Sequence, residues 1–406
     1  MAENNFIYLD NAGTTQMRQE VVQGMMEFLT ENYANPSSVY KSAGRAKQAI
    51  DEARGKVAAA IGSRANEIYF TGSGSESINW AVKAIAEGHA GKHIITTAVE
   101  HHASLYTCQA LEKAGYDVTY LGVDDRAMVT AQQVKDAIRP DTVLVSIMMA
   151  NNEVGTIMPI AEIGKVIAEA NASRENKIFF FTDAVQAVGH IPVDVNELGV
   201  DLLAMSGHKV YGPKGVGALY IRRGVKLNPL IHGGGQERGR RGGTENVAGI
   251  VGMGIACELA IAEMDEKAKK HAELRDYLIK EILEQIPHSR LNGHPSQRLP
   301  GNVNITFEFI EGEGMLLLLN AQNIGASSGS ACTSGSLEPS HVLMATGLPH
   351  EMAHGSLRLT FGRETEKADL DKLLEVLPGI VGRLRQISPL WEEFQRVGNI
   401  DAFTAK

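Results

Sequence analysis

The chain of 406 residues predicts an α/β fold: a large domain on a mostly parallel sheet covered by helices on both faces, then a smaller α+β domain. Three observations carry this reading. Apolar runs alternate with helical patterns from about residue 16 to 250, two late runs stand too close together to enclose a helix, and the texture changes after Gly254.

Met17, Val21, Val22, Met25, Phe28 and Leu29 recur at helical spacing and open the large domain. Strand candidates follow at His93–Val99, Val118–Val123, Thr142–Ala150, Ile178–Ala184, Asp201–Met205 and Val216–Ile221. Helical patterns at Ile78–Glu87, Ser104–Ala114, Ala131–Ile138 and Ile160–Ala170 separate most of them. The last two strands must form an antiparallel hairpin or a sheet edge. A charged helical stretch then runs over Ala256–Ile286, with strands expected at Asn302–Phe309 and Gly355–Gly362 and helices at Glu313–Ala321 and Glu366–Arg385. The large domain is accordingly expected over 16–255, and the small one over 1–15 and 256–406, with Phe6–Asp10 joining it and a Gly/Ser-rich loop at about 325–338.

Hydrophobic content of 44% and charged content of 21% describe an ordinary soluble protein. A net charge of −9 argues against nucleic acid or an anionic membrane as the main partner. The longest apolar stretch, Leu316–Leu319, is far too short to span a bilayer, and the N-terminus lacks signal-peptide order. Cys108, Cys257 and Cys332 are too few and scattered for a disulfide framework or zinc site, so a reducing cytoplasm fits best.

Lys209 stands in Ser206-Gly-His-Lys-Val-Tyr-Gly-Pro-Lys-Gly215, between two apolar runs, where four glycines or prolines fall within nine residues. An amine held at a strand end, where clefts open in α/β sheets, can be desolvated until it is nucleophilic enough for Schiff-base chemistry. The alternative is an exposed loop lysine. An aldehyde cofactor on Lys209 would need a carboxylate, a phosphate cradle and a group to cover the ring. Asp183 ends the run Phe179-Phe-Phe-Thr-Asp and can keep a pyridine nitrogen protonated, or cap a helix. Gln186 lies within reach of a ring oxygen. Thr71-Gly-Ser-Gly-Ser-Glu-Ser77, with Gly74 and Ser75, precedes a helix and suits a phosphate, as it suits capping alone; Ser206 and His208 can complete the cradle. His101 can stack on the ring and shuttle protons, or be structural. Asn152 and Arg358 are candidates for a substrate carboxylate, the arginine by bidentate pairing unless it forms a surface ion pair.

Cys257 sits among apolar residues, whereas Cys332 lies in Gly325-Ala-Ser-Ser-Gly-Ser-Ala-Cys-Thr-Ser-Gly-Ser336, whose small polar residues cannot bury it deeply. An accessible thiol in that setting is a nucleophile candidate.

With these motifs together the chain resembles the cysteine desulfurases of the nitrogen-fixation type (NifS/IscS-like), pyridoxal-phosphate enzymes of aminotransferase class V with the aspartate-aminotransferase-like fold (fold type I). The resemblance rests on Tyr8-Leu-Asp-Asn-Ala-Gly-Thr-Thr15, Asn35-Pro-Ser-Ser38, Glu100-His101, Asn151-Asn-Glu-Val-Gly155 and Thr182-Asp-Ala-Val-Gln186. The lysine segment, Glu237-Arg-Gly-Arg-Arg-Gly-Gly-Thr-Glu-Asn246 and Ser327–Ser340 complete it, so it covers the chain to about residue 390. Departures are small: Gly13 replaces a usual alanine, Ser75 a threonine and Gln236 a histidine.

The resemblance implies that Lys209 carries pyridoxal 5'-phosphate, Asp183 pairs with the ring nitrogen, Gln186 contacts the ring oxygen and His101 stacks. Gly74, Ser75, Ser206 and His208 would hold the phosphate, with Thr244 reaching in from the second subunit of a homodimer. Asn152 and Arg358 would bind the carboxylate of L-cysteine, and Cys332 would take its sulfur as a persulfide, leaving alanine. The implied acceptor is an iron–sulfur scaffold protein. The only implied metal contact is a transient one between Cys332 and a nascent cluster. The wording of Thr182–Gly189 and Gly314–Asn320 leans toward the nitrogen-fixation branch. An aminotransferase or lyase using the same lysine without the thiol is the main rival.

Overall fold

The computed structural model describes residues 6–328 and 339–397, so Cys332 lies outside the described residues. Its centre is a seven-stranded sheet in the order Ile68–Thr71, Gly217–Ile221, Leu202–Ser206, Phe179–Asp183, Thr142–Ser146, His93–Thr97, Asp117–Leu121. All neighbours are parallel except Gly217–Ile221, which runs antiparallel to both strands beside it, as the short connection from Leu202–Ser206 requires. The inner strands are buried along their whole length because both faces are covered. Alternate residues feed two cores. Ile95, Val145, Phe180 and Leu203 face one side, and Ile94, Leu144, Phe181 and Leu202 the other.

Helix Lys41–Ala59 carries no strong apolar stripe; its buried face is Ala43, Ala46, Ala49, Ile50, Ala53 and Val57. Small residues let it approach helix Val247–Ala262 closely: a Cβ at Gly254 would come within 2.8 Å of the Cα of Ala53. The charged helix expected over Ala256–Ile286 is instead two helices, Val247–Ala262 and Met264–Gln285, meeting at 68°. The domain boundary expected between residues 255 and 256 therefore falls inside a helix. Ala256, Cys257 and Ala260 pack in the large core, and the change of body comes at Glu263, where Arg18 binds the carboxylate at 2.7 Å. Val342, Leu343, Leu348 and Ala353 also pack against the large core, within the stretch expected to be small domain.

The second body is a three-stranded antiparallel sheet, Ser356–Thr360, Asn302–Phe307 and Ser289–Leu291. Helices Met264–Gln285 and Lys367–Gln386 cover it through Leu278, Ile282, Leu370, Leu373 and Leu377. The N-terminal strand Ile7–Tyr8 joins it by pairing with Ile324–Gly325. Among the described residues no single helix is long and apolar enough to cross a membrane.

Arg54 and Glu237 fasten the edge strand Ile68–Thr71. The guanidinium donates to both carboxylate oxygens, at 2.7 and 2.9 Å, and to the Ile68 carbonyl at 2.8 Å, while the Phe70 amide donates to Glu237 at 3.0 Å. Glu237→Ala strands a buried guanidinium, and the expected loss is about 3–5 kcal/mol of folding stability. Urea unfolding reads this directly; an unshifted midpoint would show that the pair contributes nothing.

Candidate active site

Ligands of open α/β sheets collect beyond the carboxyl ends of the strands. Here those ends deliver Ser73–Ser75 after Ile68–Thr71, His101 after His93–Thr97, and Met148–Asn152 after Thr142–Ser146. Asp183 lies at the end of its own strand, and Ser206–Lys209 at the end of the next. They surround a cleft of about 560 Å³ that the second body closes with Arg358. Gly74, Ser75, His101, Asn152, Asp183, Gln186, Ser206, His208, Lys209 and Arg358 all line it. Thr244 does not. It is exposed and borders a separate hollow beside Gly243 and Arg241.

The lysine loop is held by the N-terminal segment. The Lys209 ammonium donates to the carbonyls of Ala12 and, at 2.7 Å, Gly13. The Thr15 hydroxyl donates to the His208 carbonyl at 2.9 Å and accepts from the Tyr211 amide at 2.9 Å. That second bond supports Tyr211 in a left-handed conformation, φ 64°, which costs a side-chain-bearing residue on the order of 1–3 kcal/mol. His190 contacts the Lys209 carbonyl at 3.1 Å from behind.

Helix Gly74–Gly88 begins at the cleft with Ser73 as its cap, the hydroxyl accepting from the Glu76 amide at 3.1 Å. Its first-turn amides have no partners within the helix and present the positive end of its dipole. Gly217 lets the neighbouring strand pass close beneath: a Cβ there would meet the Ser73 carbonyl carbon at 2.6 Å. Ser75, Ser206 and His208 add polar atoms around this end, and His208 Nδ1 lies 3.1 Å from the Thr14 hydroxyl. An anion such as a phosphate suits this position.

His101 caps the next helix, His102–Lys113, its Nδ1 accepting from the Ala103 amide at 3.1 Å. That bond fixes the tautomer, with the proton on Nε2. Burial, then the nearby Lys209 charge, pushes the imidazole down to about 4, so the ring is neutral at physiological pH. Burial raises Asp183 to about 6 against the lowering pull of the Val185 amide and Lys209. The helix cap considered for Asp183 is absent: residues 185–190 form turns, and the carboxylate accepts from the Val185 amide at 2.9 Å. Gln186 donates to the Ala12 carbonyl at 3.0 Å.

Arg358 is buried; it donates to Asp10 at 2.8 Å and to the Asn152 carbonyl at 3.1 Å, and its Nε has no partner among the described residues. The surface ion pair considered for it is thus a buried one with an unmet donor, suited to a second carboxylate.

The sequence reading assigned no task to Asp10, Ala12, Gly13 or Thr14, although their motif is conspicuous. It also passed over two carboxyls behind the cleft. Glu100, raised to about 8, and Glu153, raised to about 7, are both shifted mainly by burial.

Amine, buried carboxyl, helix N-terminus and unmet guanidinium together match the polar groups of pyridoxal phosphate and an amino acid. Asp183 carries a testable consequence. In the cofactor-free protein its raised pKa means that the folded state holds the proton longer than the unfolded one, so stability falls as pH rises from about 4 to about 6. Asp183→Asn removes this slope and should stabilise the cofactor-free protein by about 1–3 kcal/mol at pH 7. Parallel denaturation curves at pH 4 and pH 7 measure it, and equal behaviour of both proteins would refute the buried-charge account.

The sequence profile described as Aminotransferase class-V matches residues 7–373. A protein of Methanosarcina thermophila named cysteine desulfurase IscS is 58% identical over 390 residues, covering 96% of this chain and 95% of that one. A solved NifS-like protein superposes with a TM-score of 0.87 at 37% identity, over 93% of this chain and all of that one (100%). A second, described as SspA in complex with cysteine, gives 0.77 at 38% identity, covering 87% of this chain and 98% of that one. The architecture is the fold type I of pyridoxal-phosphate enzymes. With a profile spanning most of its length, this chain belongs to the class-V aminotransferase family, whose members depend on pyridoxal phosphate.

Proposed function

We propose that the chain converts L-cysteine to L-alanine, transferring the sulfur to Cys332 as a persulfide that supplies iron–sulfur cluster assembly. One observation carries the reading. Lys209, Asp183 and Arg358 share a single cleft, and Ser327, five residues before Cys332 in sequence, is bridged to Arg358.

When bound, pyridoxal phosphate supplies an electrophilic carbon and a ring that takes up the electron pair left at the substrate Cα. The remaining work falls to the protein. Gly74, Ser75, Ser206 and His208 hold the phosphate end; His101, neutral, covers the ring; Asp183 keeps the ring nitrogen protonated. Asn152 and Arg358 take the substrate carboxylate. Lys209 would hold the cofactor and, as a free amine, would be the base that moves the proton at the substrate Cα. The Cys332 thiolate then attacks the substrate sulfur. The Cβ–S bond breaks with its electrons left on the carbon side, an S–S bond forms, and protonation releases alanine.

Two facts favour Cys332 among the three cysteines. Cys108 and Cys257 are buried, their thiols pushed up to about 12 by desolvation, so neither offers a thiolate. Ser327 is bridged to Arg358 through backbone bonds of 2.6 and 3.2 Å, and Cys332 follows Ser328 by four residues.

The same reading includes a homodimer in which Thr244 completes the partner's phosphate site. Thr244 is exposed and outside its own cleft, and Met26, Leu29, Tyr33 and Tyr40 present apolar side chains to solvent in one stretch of chain. An iron–sulfur scaffold protein is the acceptor, and a reducing compartment such as the cytoplasm suits a catalytic thiol.

Mass spectrometry after exposure to L-cysteine should find one added sulfur on Cys332. Cys332→Ala should change the cofactor spectrum on binding cysteine yet form no alanine. Pyruvate or another keto acid as product, or undiminished turnover in the variant, would replace the desulfurase reading with that of a lyase or aminotransferase. Sedimentation should show a dimer at working concentration, and a fully active monomer would remove Thr244 from the site.

A further inference from the structure

The turn Asn151–Gly155 is pinned from both bodies. The Asn151 side chain donates to the Val99 carbonyl at 2.9 Å and accepts from the amides of Glu153 and Val154, each at 2.9 Å. From the second body, Asn304 donates to the Glu153 carbonyl at 3.0 Å and Arg298 to the Val154 carbonyl at 3.0 Å. Gly155 closes the turn at φ 81° with no room for a side chain, since a Cβ would meet Asn302 Oδ1 at 2.7 Å. A turn held this firmly fixes whatever its side chains and carbonyls hold. Asn152 lines the cleft, and its carbonyl accepts from Arg358.

Glu153 carries the third connection. Its carboxyl is fully buried and accepts a hydrogen bond from the Ser340 hydroxyl. The same hydroxyl accepts from the Leu343 amide at 3.3 Å, capping helix His341–Ala345, so both its donor and its acceptor roles are engaged. That helix is anchored in the large core by Val342 and Leu343. A buried carboxyl is a costly way to hold a serine, because desolvation outweighs the Ser340 hydrogen bond and the Arg358 charge and raises it to about 7. An apolar residue would fill the space without that penalty. The position of the contact accounts for it: Ser340 ends the stretch of chain that bears Cys332, and the stretch begins where Ser327 bridges Arg358.

We propose that Glu153 is a positioning residue for sulfur transfer. Through Ser340, the described residue eight positions after Cys332, it ties the chain to the same turn that presents Asn152 and supports Arg358. The inference rests on the desulfurase reading with Cys332 as nucleophile.

The test uses the full-length holoenzyme in three variants, Ser340→Ala, Glu153→Ala and Glu153→Gln, with two readings on each, and Cys332→Ala as the control for sulfur release. Titration with L-alanine, followed by cofactor absorbance, reports the grip on an amino acid that has no sulfur to give. Single-turnover mass spectrometry with L-cysteine reports the rate at which one sulfur appears on Cys332. Misplacing a reacting group by about 1 Å can cost on the order of 100-fold, so Ser340→Ala and Glu153→Ala should transfer sulfur at least about tenfold more slowly while alanine affinity stays within about twofold. Glu153→Gln keeps a carbonyl oxygen for the serine and should stay within about threefold of the parent. Equal transfer rates in the parent and Ser340→Ala overturn the proposal, as does alanine affinity that falls in step with transfer. A glutamine variant as slow as the alanine variant overturns it too, because the contact would then act through charge. If Glu153→Ala does not fold, Ser340→Ala, which removes one hydroxyl, carries the test alone. Sulfur release undiminished in Cys332→Ala would defeat the desulfurase reading itself, an outcome distinct from the others.

Discussion

The arrangement depends on where residues 10–15 lie. This segment leaves the second body through the Ala12 amide, which donates to Thr360 Oγ1 at 2.8 Å, and crosses to the lysine loop of the first body. Along the way Asp10 pairs with Arg358, the carbonyls of Ala12 and Gly13 take the Lys209 ammonium, and Thr15 braces His208 and Tyr211. The amine and the guanidinium come from opposite bodies, and one short strip of backbone sets the distance between them. Carbonyls are suited to that work: they accept from an ammonium without bringing a charge into the cleft, so Lys209 is oriented without being neutralised by a fixed anion.

The electrostatics around the cleft follow from burial more than from pairing. Asp183, Glu100 and Glu153 are all raised, and desolvation is the leading cause in each case. His101 and His208 are lowered to about 4 for the same reason, with Lys209 adding to the effect. Around neutral pH the cleft thus offers uncharged imidazoles, and Lys209, Lys214 and Arg358 are the positive groups that line it, suited to a doubly anionic cofactor and a carboxylate substrate. The raised carboxyls work against folding at neutral pH, whereas the lowered imidazoles cost little there and oppose folding only as pH falls below about 6.5. A phosphate at the first turn of helix Gly74–Gly88 and a ring cation beside Asp183 would offset part of this cost, because binding to the folded state alone stabilises it.

Most of the sheet was legible because its strands are short continuous apolar runs separated by amphipathic helices, and the lysine, aspartate and arginine sit where such strands end. What escaped had no side-chain signature. Helix Lys41–Ala59 buries alanines, which carry little hydrophobic periodicity, so its packing partner Val247–Ala262 was also cut in the wrong place. Backbone carbonyls that hold Lys209 cannot be read from residue types at all. Glu100 and Glu153 stand beside histidines and asparagines in polar-looking stretches, and only the fold shows that both lie in its interior. Thr244 differs: the motif around it was visible, but its own cleft is complete in outline without it.

Sulfur transfer sets two opposed demands on the nucleophile. It must meet the substrate sulfur with little positional error, and afterwards it must present the persulfide to another protein. A thiol on a strand or helix meets the first and fails the second; a thiol on an unanchored tail does the reverse. Fixed contacts on the residues that flank the nucleophile in sequence bear on the first demand. Here the anchors are Ser327, bridged to Arg358 of the cleft, and Ser340, bonded to Glu153 next to Asn152; both are buried. Twelve residues lie between them. Loop-closure entropy rises only slowly with length, so a stretch of that size costs little more to close than one half as long. The placement of the anchors therefore matters more than the length between them, and both placements lead back to the substrate carboxylate.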